Sequence, residues 1–115
     1  MTEKVFDLEE RTAIFAENGR DYAKKLPKTQ ANIEYAGQLI RSTGSVAGNY
    51  IEANEALSKK DFFMRIKICR KETKESRLWL RVSQRPELEK TTKERLTKEA
   101  TELLKIFSTI LKSSS

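Results

Sequence analysis

The sequence predicts an all-α protein, an antiparallel up-down four-helix bundle, and two observations favour this fold class. The chain of 115 residues has only two prolines and four glycines, too few for the frequent turns of a β architecture. Its apolar residues recur three and four positions apart in four long segments, the period of helices with one buried face. The length suits one hydrophobic core, so we assign residues 1–115 to a single domain.

The first helix is expected to begin at Asp7, whose carboxylate suits the N-cap position, and to end before Pro27. Gly19 weakens the middle of this helix without ending it, because glycine costs about 1 kcal/mol relative to alanine in a helix. The predicted apolar positions are Leu8, Thr12, Ile14, Phe15, Tyr22 and Leu26.

The second helix is expected to open near Thr29, and its three glycines leave two interpretations open. Gly37, Gly44 and Gly48 share one face of a continuous helix, which suggests that another backbone approaches closely there. Alternatively, the helix breaks or kinks near Gly44 and Gly48. The predicted apolar set is Ile33, Ala36, Leu39, Ile40, Thr43, Ala47, Tyr50 and Ile51.

The third helix has the clearest start, because Ser58 followed three residues later by Asp61 resembles a capping box. Its predicted core positions step in heptads through Phe62, Ile66, Cys69, Thr73, Ser76 and Leu80. We call these six residues the α3 seam. Pro86 marks the stop and suits an early position of the next helix.

The fourth helix is expected to follow Pro86 and to run to a frayed, disordered tail at residues 113–115. Its predicted apolar positions are Leu88, Leu96, Ala100, Leu103, Leu104, Phe107, Ile110 and Leu111.

The composition argues against several classes of function. The chain has no histidine, which removes the usual general base and the commonest metal ligand. Its single cysteine, Cys69, excludes an intramolecular disulfide and lies on the seam as a small apolar residue. We therefore expect no catalytic residue, no metal and no cofactor. Acidic Glu3 and Asp7 do not suit a signal peptide, and no apolar run could cross a bilayer, so we expect a cytoplasmic protein without a membrane partner.

The positive charge is concentrated in the third helix. The whole chain carries a formal charge of +6, whereas residues 58–85 alone hold ten basic and three acidic side chains. Most of these cations step three and four positions apart along one side of the helix, the spacing that suits contacts with nucleic-acid phosphates. We call the following six residues the basic stripe and predict that they bind RNA or DNA: Lys67, Arg70, Lys71, Lys74, Arg77 and Arg81. The alternative is an ordinary solvated face.

Acidic and aromatic residues follow the other side of the same helix. Arg65, Ile68, Glu72, Glu75 and Trp79 form this line. The two carboxylates suit either a general acid–base pair or, more commonly, ion pairs with arginines across a helix–helix or subunit contact, for which Arg41 and Arg65 are the candidate partners.

A segment rich in small residues, residues 42–53, contains Asn49 and Glu52 three positions apart on one face. These two side chains either bind a ligand or form hydrogen bonds with the loop that follows.

Three stretches of the sequence resemble a known bacterial family. They are residues 41–53 (RSTGSVAGNYIEA), residues 58–62 (SKKDF) and residues 71–80 (KETKESRLWL). Their order and spacing are similar to those of the four-helix bundle proteins encoded in intervening sequences of bacterial 23S ribosomal RNA genes. The positions that carry the family motif are Arg41, Asn49, Glu52, Asp61, Glu72, Glu75 and Trp79.

The resemblance implies an antiparallel four-helix bundle that assembles as a ring of five identical subunits, and it implies no enzymatic activity. It also implies a link to accessory proteins of retroelements, which are basic pentamers that bind nucleic acid and a reverse transcriptase. Together with the basic stripe, it favours a non-enzymatic, oligomeric nucleic-acid-binding protein. The competing hypothesis is a scaffold or adaptor that binds a partner protein, in which the charge only maintains solubility.

Overall fold

The computed structural model describes residues 7–114, which form four long helices joined by short connections. The helices are α1 (Leu8–Lys24), α2 (Gln30–Asn54), α3 (Lys59–Val82) and α4 (Lys90–Lys112), with a short 3-10 turn at Glu87–Glu89. Residues 7–114 include no strand, and the helices pack as a bundle, which confirms the predicted fold class. Glu3 and Ser115, which entered the expectations about a leader and a tail, lie outside the described residues.

Hydrogen bonds between helix ends show that neighbouring helices run antiparallel. Asn54 at the end of α2 donates to Glu9 at the start of α1, and Lys93 near the start of α4 donates to the carbonyl of Ser83 just after α3. Consecutive helices pack along their lengths, whereas α4 contacts α1 only slightly. The bundle is therefore open along the α1–α4 side, where Arg11 closes part of the gap with two bonds of 2.7 and 2.9 Å to the Glu99 carboxylate.

The first three helices begin at the residues that the sequence predicts. Asp7, Thr29 and Ser58 each accept a hydrogen bond of 3.1 Å from the backbone N–H three residues ahead. Each bond satisfies one of the amide groups that a helix start leaves without a partner. Helix α4 has no side-chain cap and begins through the 3-10 turn after Pro86.

The α3 seam faces the core as predicted, with Phe62 half-buried and the other five residues buried. Its polar members satisfy their hydroxyl groups inside the bundle. Thr73 donates to the Cys69 carbonyl at 2.7 Å, and the Ser76 hydroxyl lies 2.8 Å from that of Ser42 on α2. Small polar residues therefore let α2 and α3 approach closely without leaving an unpaired group.

The apolar set predicted for α2 is partly wrong. Leu39 and Thr43 are buried, but Ile33, Ile40 and Ile51 are exposed by 57%, 43% and 46%. The three isoleucines lie about 120° around the helix from Leu39, so the predicted set combined two faces. The core face instead also holds Asn32, Ser42, Val46 and Ala53.

The predicted break in α2 is wrong, and the predicted close approach of another backbone does not occur among residues 7–114. Helix α2 runs unbroken through Gly44 and Gly48. A Cβ built on Gly37, Gly44 or Gly48 meets no atom within 4 Å, so no part of the described chain approaches them. The close approach is at Gly19, where a Cβ would lie 3.0 Å from the side chain of Thr43.

Two further predicted core positions are exposed. Leu88 is 91% exposed because it lies in the 3-10 turn before α4, and Ile14 is 43% exposed because it lines the open α1–α4 side. The other predicted positions of α4 are buried or half-buried. Ser113 and Ser114 form a turn that closes α4, with backbone N–H bonds to Ile110 and Leu111.

Candidate nucleic-acid interface

The second half of the basic stripe, Lys74, Arg77 and Arg81, lies on the side of α3 that faces α4. Its register is fixed because the buried seam, about 100° away around the helix, can pack in only one orientation. Arg70 and Arg77 are half-buried, and the other four members of the stripe are exposed. A rigid helix thus holds six cations in a row of about four turns.

None of these six cations is neutralised within the described part of the chain. The ion pairs among residues 7–114 join Arg11 to Glu99, Arg20 to Asp21, Arg85 to Glu87 and Lys105 to Glu102. All four lie outside the stripe. Its charge therefore remains available to an anion from outside.

Helix α4 adds to the basic stripe a further cation, Lys93, which the patterns within single helices did not predict. Lys74, Arg77 and Arg81 line a groove between α3 and α4 together with Lys93. The groove has a volume of about 610 Å³, and no acidic residue lines it. The signal in the sequence was the run of Lys93, Thr97 and Thr101, which places small hydroxyl residues and a lysine on one face of α4.

Within residues 7–114, the acidic and aromatic line does not form the ion pairs predicted between helices. Arg41 donates to Gln38, and Arg65 donates to Asn49 at 2.9 Å. Burial, and then the charge of Glu75, raise the pKa of Glu72. Neither carboxylate lines the α1–α4 groove or the α3–α4 groove.

Trp79 lies at the end of the same line and packs against α2. Its ring stacks on that of Tyr35 with centroids 6.1 Å apart, and its Nε1 is buried without a hydrogen-bond partner among residues 7–114. The family-motif position Trp79 therefore contributes to packing between α2 and α3 in this chain.

The remaining candidate residues of the sequence analysis are Asn49, Glu52 and Asp61. Asn49 donates to the carbonyl and hydroxyl oxygens of Ser45 at 2.9 and 3.0 Å, so it does not contact the loop after α2. Glu52 and Asp61 are exposed, and the backbone N–H of Asp61 completes the Ser58 cap.

The single thiol is inaccessible and unsuited to metal binding. Cys69 is fully buried, its thiol donates to the Val46 carbonyl at 3.5 Å, and burial raises its pKa to about 12. A thiol with this pKa is almost entirely neutral near pH 7. Among residues 7–114, no three His, Cys, Asp or Glu side chains are grouped so that they could hold a metal ion. Within the same residues, no helix is both long and apolar enough to cross a membrane.

Comparison with known proteins identifies the family. The family model for the 23S rRNA-intervening sequence protein matches residues 7–109. A crystal structure from Bacteroides thetaiotaomicron VPI-5482, described as a protein with unknown function from the S23 ribosomal protein family, has a TM-score of 0.78 to this structure and 26% sequence identity. The similarity covers 90% of this chain and 97% of that one. No curated protein matches the sequence, and neither description names an enzymatic activity. Because the family model spans most of its length, the chain belongs to the 23S rRNA-intervening sequence protein family.

Proposed function

We propose that this protein is a non-enzymatic, oligomeric helical bundle of the cytoplasm that binds the phosphates of RNA or DNA through the basic stripe. The observation that carries the proposal is a row of six cations on one rigid helix, none of them ion-paired among residues 7–114. Such a row gains affinity by neutralising phosphates and releasing their counterions, without reading base sequence. Because α3 is ordered by its buried seam, little further ordering of the helix opposes binding.

The test replaces four cations of the stripe by glutamine, which removes the charge and keeps a similar helix propensity. The variant Lys67→Gln, Arg70→Gln, Lys74→Gln, Arg77→Gln is titrated with fluorescent duplex RNA and duplex DNA. We expect affinity at least about a hundredfold weaker than that of the unaltered protein at roughly 200 mM salt, because four counterion-releasing contacts are lost. Fluorescence anisotropy gives the dissociation constants.

The matched control removes the same charge elsewhere: Lys24→Gln, Lys25→Gln, Lys28→Gln, Lys105→Gln. These four lysines are exposed and lie outside the stripe. The control is expected to bind within a few-fold of the unaltered protein. Equal losses in both variants would mean that only net charge matters and would refute an interface on α3.

Oligomerisation is proposed to use an exposed face of α2. Ile33, Gly37, Ile40, Gly44, Ala47 and Ile51 step 4-3-4-3-4 along this helix, and we call them the α2 face. Its isoleucines are about half exposed, and nothing within the described chain covers its glycines. A heptad of apolar and small residues suits close packing against a helix of a second copy. A ring of five copies would also join five stripes, which raises the affinity through effective concentration.

The oligomer proposal predicts that Ile40→Glu dissociates the assembly. A carboxylate placed in a dry interface between helices lacks a partner, so the variant is expected to sediment as a monomer in analytical ultracentrifugation. The control is Ile14→Glu, because Ile14 has the same exposure of 43% but lies on the open α1–α4 side. A monomeric unaltered protein, or unchanged sedimentation of Ile40→Glu, would contradict the role of the α2 face.

The same face favours one alternative function, a scaffold that binds a partner protein through α2. This alternative expects an acidic partner protein to displace nucleic acid, with the stripe serving only solubility. It becomes the better account if neither RNA nor DNA binds the unaltered protein at low salt.

A further inference from the structure

The groove between α3 and α4 is the place where the cations of two helices converge. Lys74, Arg77 and Arg81 enter it from α3, and Lys93 enters it from α4. The larger groove between α1 and α4 differs in character, because both acidic and basic residues line it together with apolar ones. Of the two, only the α3–α4 groove has the charge that complements an anion.

Arg77 is held across this groove before any ligand arrives. Its Nη1 donates to the Thr101 hydroxyl at 3.2 Å, and that hydroxyl donates its own proton to the Thr97 carbonyl at 3.0 Å. The hydroxyl therefore serves Arg77 as an acceptor only. A guanidinium has five N–H donors, so most of those of Arg77 remain for an anion.

Lys93 is fixed in a similar way from the opposite side. Its ammonium donates to the carbonyls of Arg81 and Ser83 at 3.2 and 3.4 Å, which leaves one N–H without a protein partner. Burial, and then the nearby charge of Arg85, lower the pKa of Lys93. An anion in the groove would offset this repulsion between cations.

The lining of the groove favours the phosphate backbone of a nucleic acid over an unpaired, stacking base. Its side walls are cations and threonines, and its one apolar residue is Leu78. No aromatic ring lines it, so a base has no surface on which to stack. Its chemistry fits the phosphates of a duplex, whose bases are already stacked on one another.

We infer that the α3–α4 groove receives the phosphate backbone of duplex nucleic acid, with neighbouring phosphates held by Arg77 and Arg81 on one side and by Lys93 on the other. This inference rests on the proposed function and deepens it: the duplex lies across α3 and α4, and Lys93 is one of its contacts. The part of the stripe that precedes Lys74 contacts phosphates further along the same backbone.

The test uses two variants that alter the groove differently. Lys93→Gln removes one phosphate contact, so the salt dependence of log affinity for duplex is expected to fall by about 1. Thr97→Glu places a carboxylate in the groove and leaves every cation in place, and it is expected to weaken binding by more than tenfold. Circular dichroism and thermal melting verify that each variant remains folded, since Lys93 also holds the end of α3.

The matched controls are Lys105→Gln and Thr109→Glu, both at exposed positions of α4 outside the groove. If the groove variants bind duplex like these controls while the unaltered protein binds well, the groove is not a contact and the proposed function still stands. If the unaltered protein binds no nucleic acid, the proposed function fails. The groove is then tested by titration with inorganic phosphate, with chloride at the same ionic strength as the reference. The readout is the amide NMR shifts of Arg77 and Lys93. If phosphate does not move these signals, the inference about the groove is overturned.

Discussion

The affinity of this protein for duplex DNA is expected to fall about a thousandfold between roughly 50 and 200 mM salt. Each phosphate that a cation neutralises adds about 0.9 to the slope of log affinity against log salt concentration. The six contacts of the basic stripe alone contribute about −5.4 to the slope, and a fourfold rise in salt then lowers affinity by at least about three orders of magnitude. Anisotropy titrations at four salt concentrations measure this slope directly.

The slope also separates the stripe from the rest of the surface. With Lys67, Arg70, Lys74 and Arg77 replaced by glutamine, two contacts of the stripe remain, so the contribution of the stripe to the slope is expected to fall from about −5.4 to about −1.8. The control that loses four lysines outside the stripe is expected to keep the full slope. A slope that is the same in both variants would assign the salt dependence to the net charge of +6 and not to α3.

The features that the sequence predicts well are local. The N-caps at Asp7, Thr29 and Ser58 depend on one side chain and the amide three residues ahead, and the α3 seam depends on spacing along one helix. The basic stripe has the same local character, because its cations share one helix face. Patterns of this kind can be read without knowing which helices become neighbours.

The features that escape such reading depend on contacts between helices. The core face of α2 includes Ser42 because its hydroxyl pairs with Ser76 on α3, so Ile40 is left exposed although it is more hydrophobic. Lys93 joins the stripe only when α4 packs beside α3. Asn32 is the third case, since hydropathy alone places an asparagine on the surface, whereas here it is 1% exposed.

Asn32 connects the two loops at one end of the bundle. Its amide donates to the carbonyls of Pro27 and Gln84 at 2.9 and 2.8 Å, and its carbonyl accepts from the Gln84 N–H at 2.9 Å. One side chain therefore holds the α1–α2 connection against the α3–α4 connection. Nearby, the Tyr22 and Ser83 hydroxyls, 2.7 Å apart, join the same ends of α1 and α3.

Replacing Asn32 by aspartate is expected to destabilise the fold by about 3 kcal/mol at pH 7. The change keeps the size of the side chain but replaces its two N–H donors by an oxygen that faces two carbonyl oxygens. The loss combines two hydrogen bonds with the burial of an unpaired charge. Thermal melting is expected to show a midpoint lower by about 10 °C. Asn18→Asp is the control, because Asn18 is exposed, and it is expected to change stability by less than about 0.5 kcal/mol.

The pH dependence of this variant distinguishes lost bonds from lost volume. Facing two carbonyl oxygens, the new carboxyl favours its protonated form, so its pKa in the folded protein rises above that in the unfolded chain. The folded state then binds more protons, and stability falls as pH rises from the unfolded value of about 4 towards the folded one. Asn32→Asp should therefore recover part of its lost stability near pH 4 relative to the unaltered protein, because the protonated carboxyl donates to one of the two carbonyls.

Asn32→Leu carries no titratable group and should show no such recovery. Equal deficits at both pH values for the aspartate variant would mean that the two loops do not depend on the donors of Asn32.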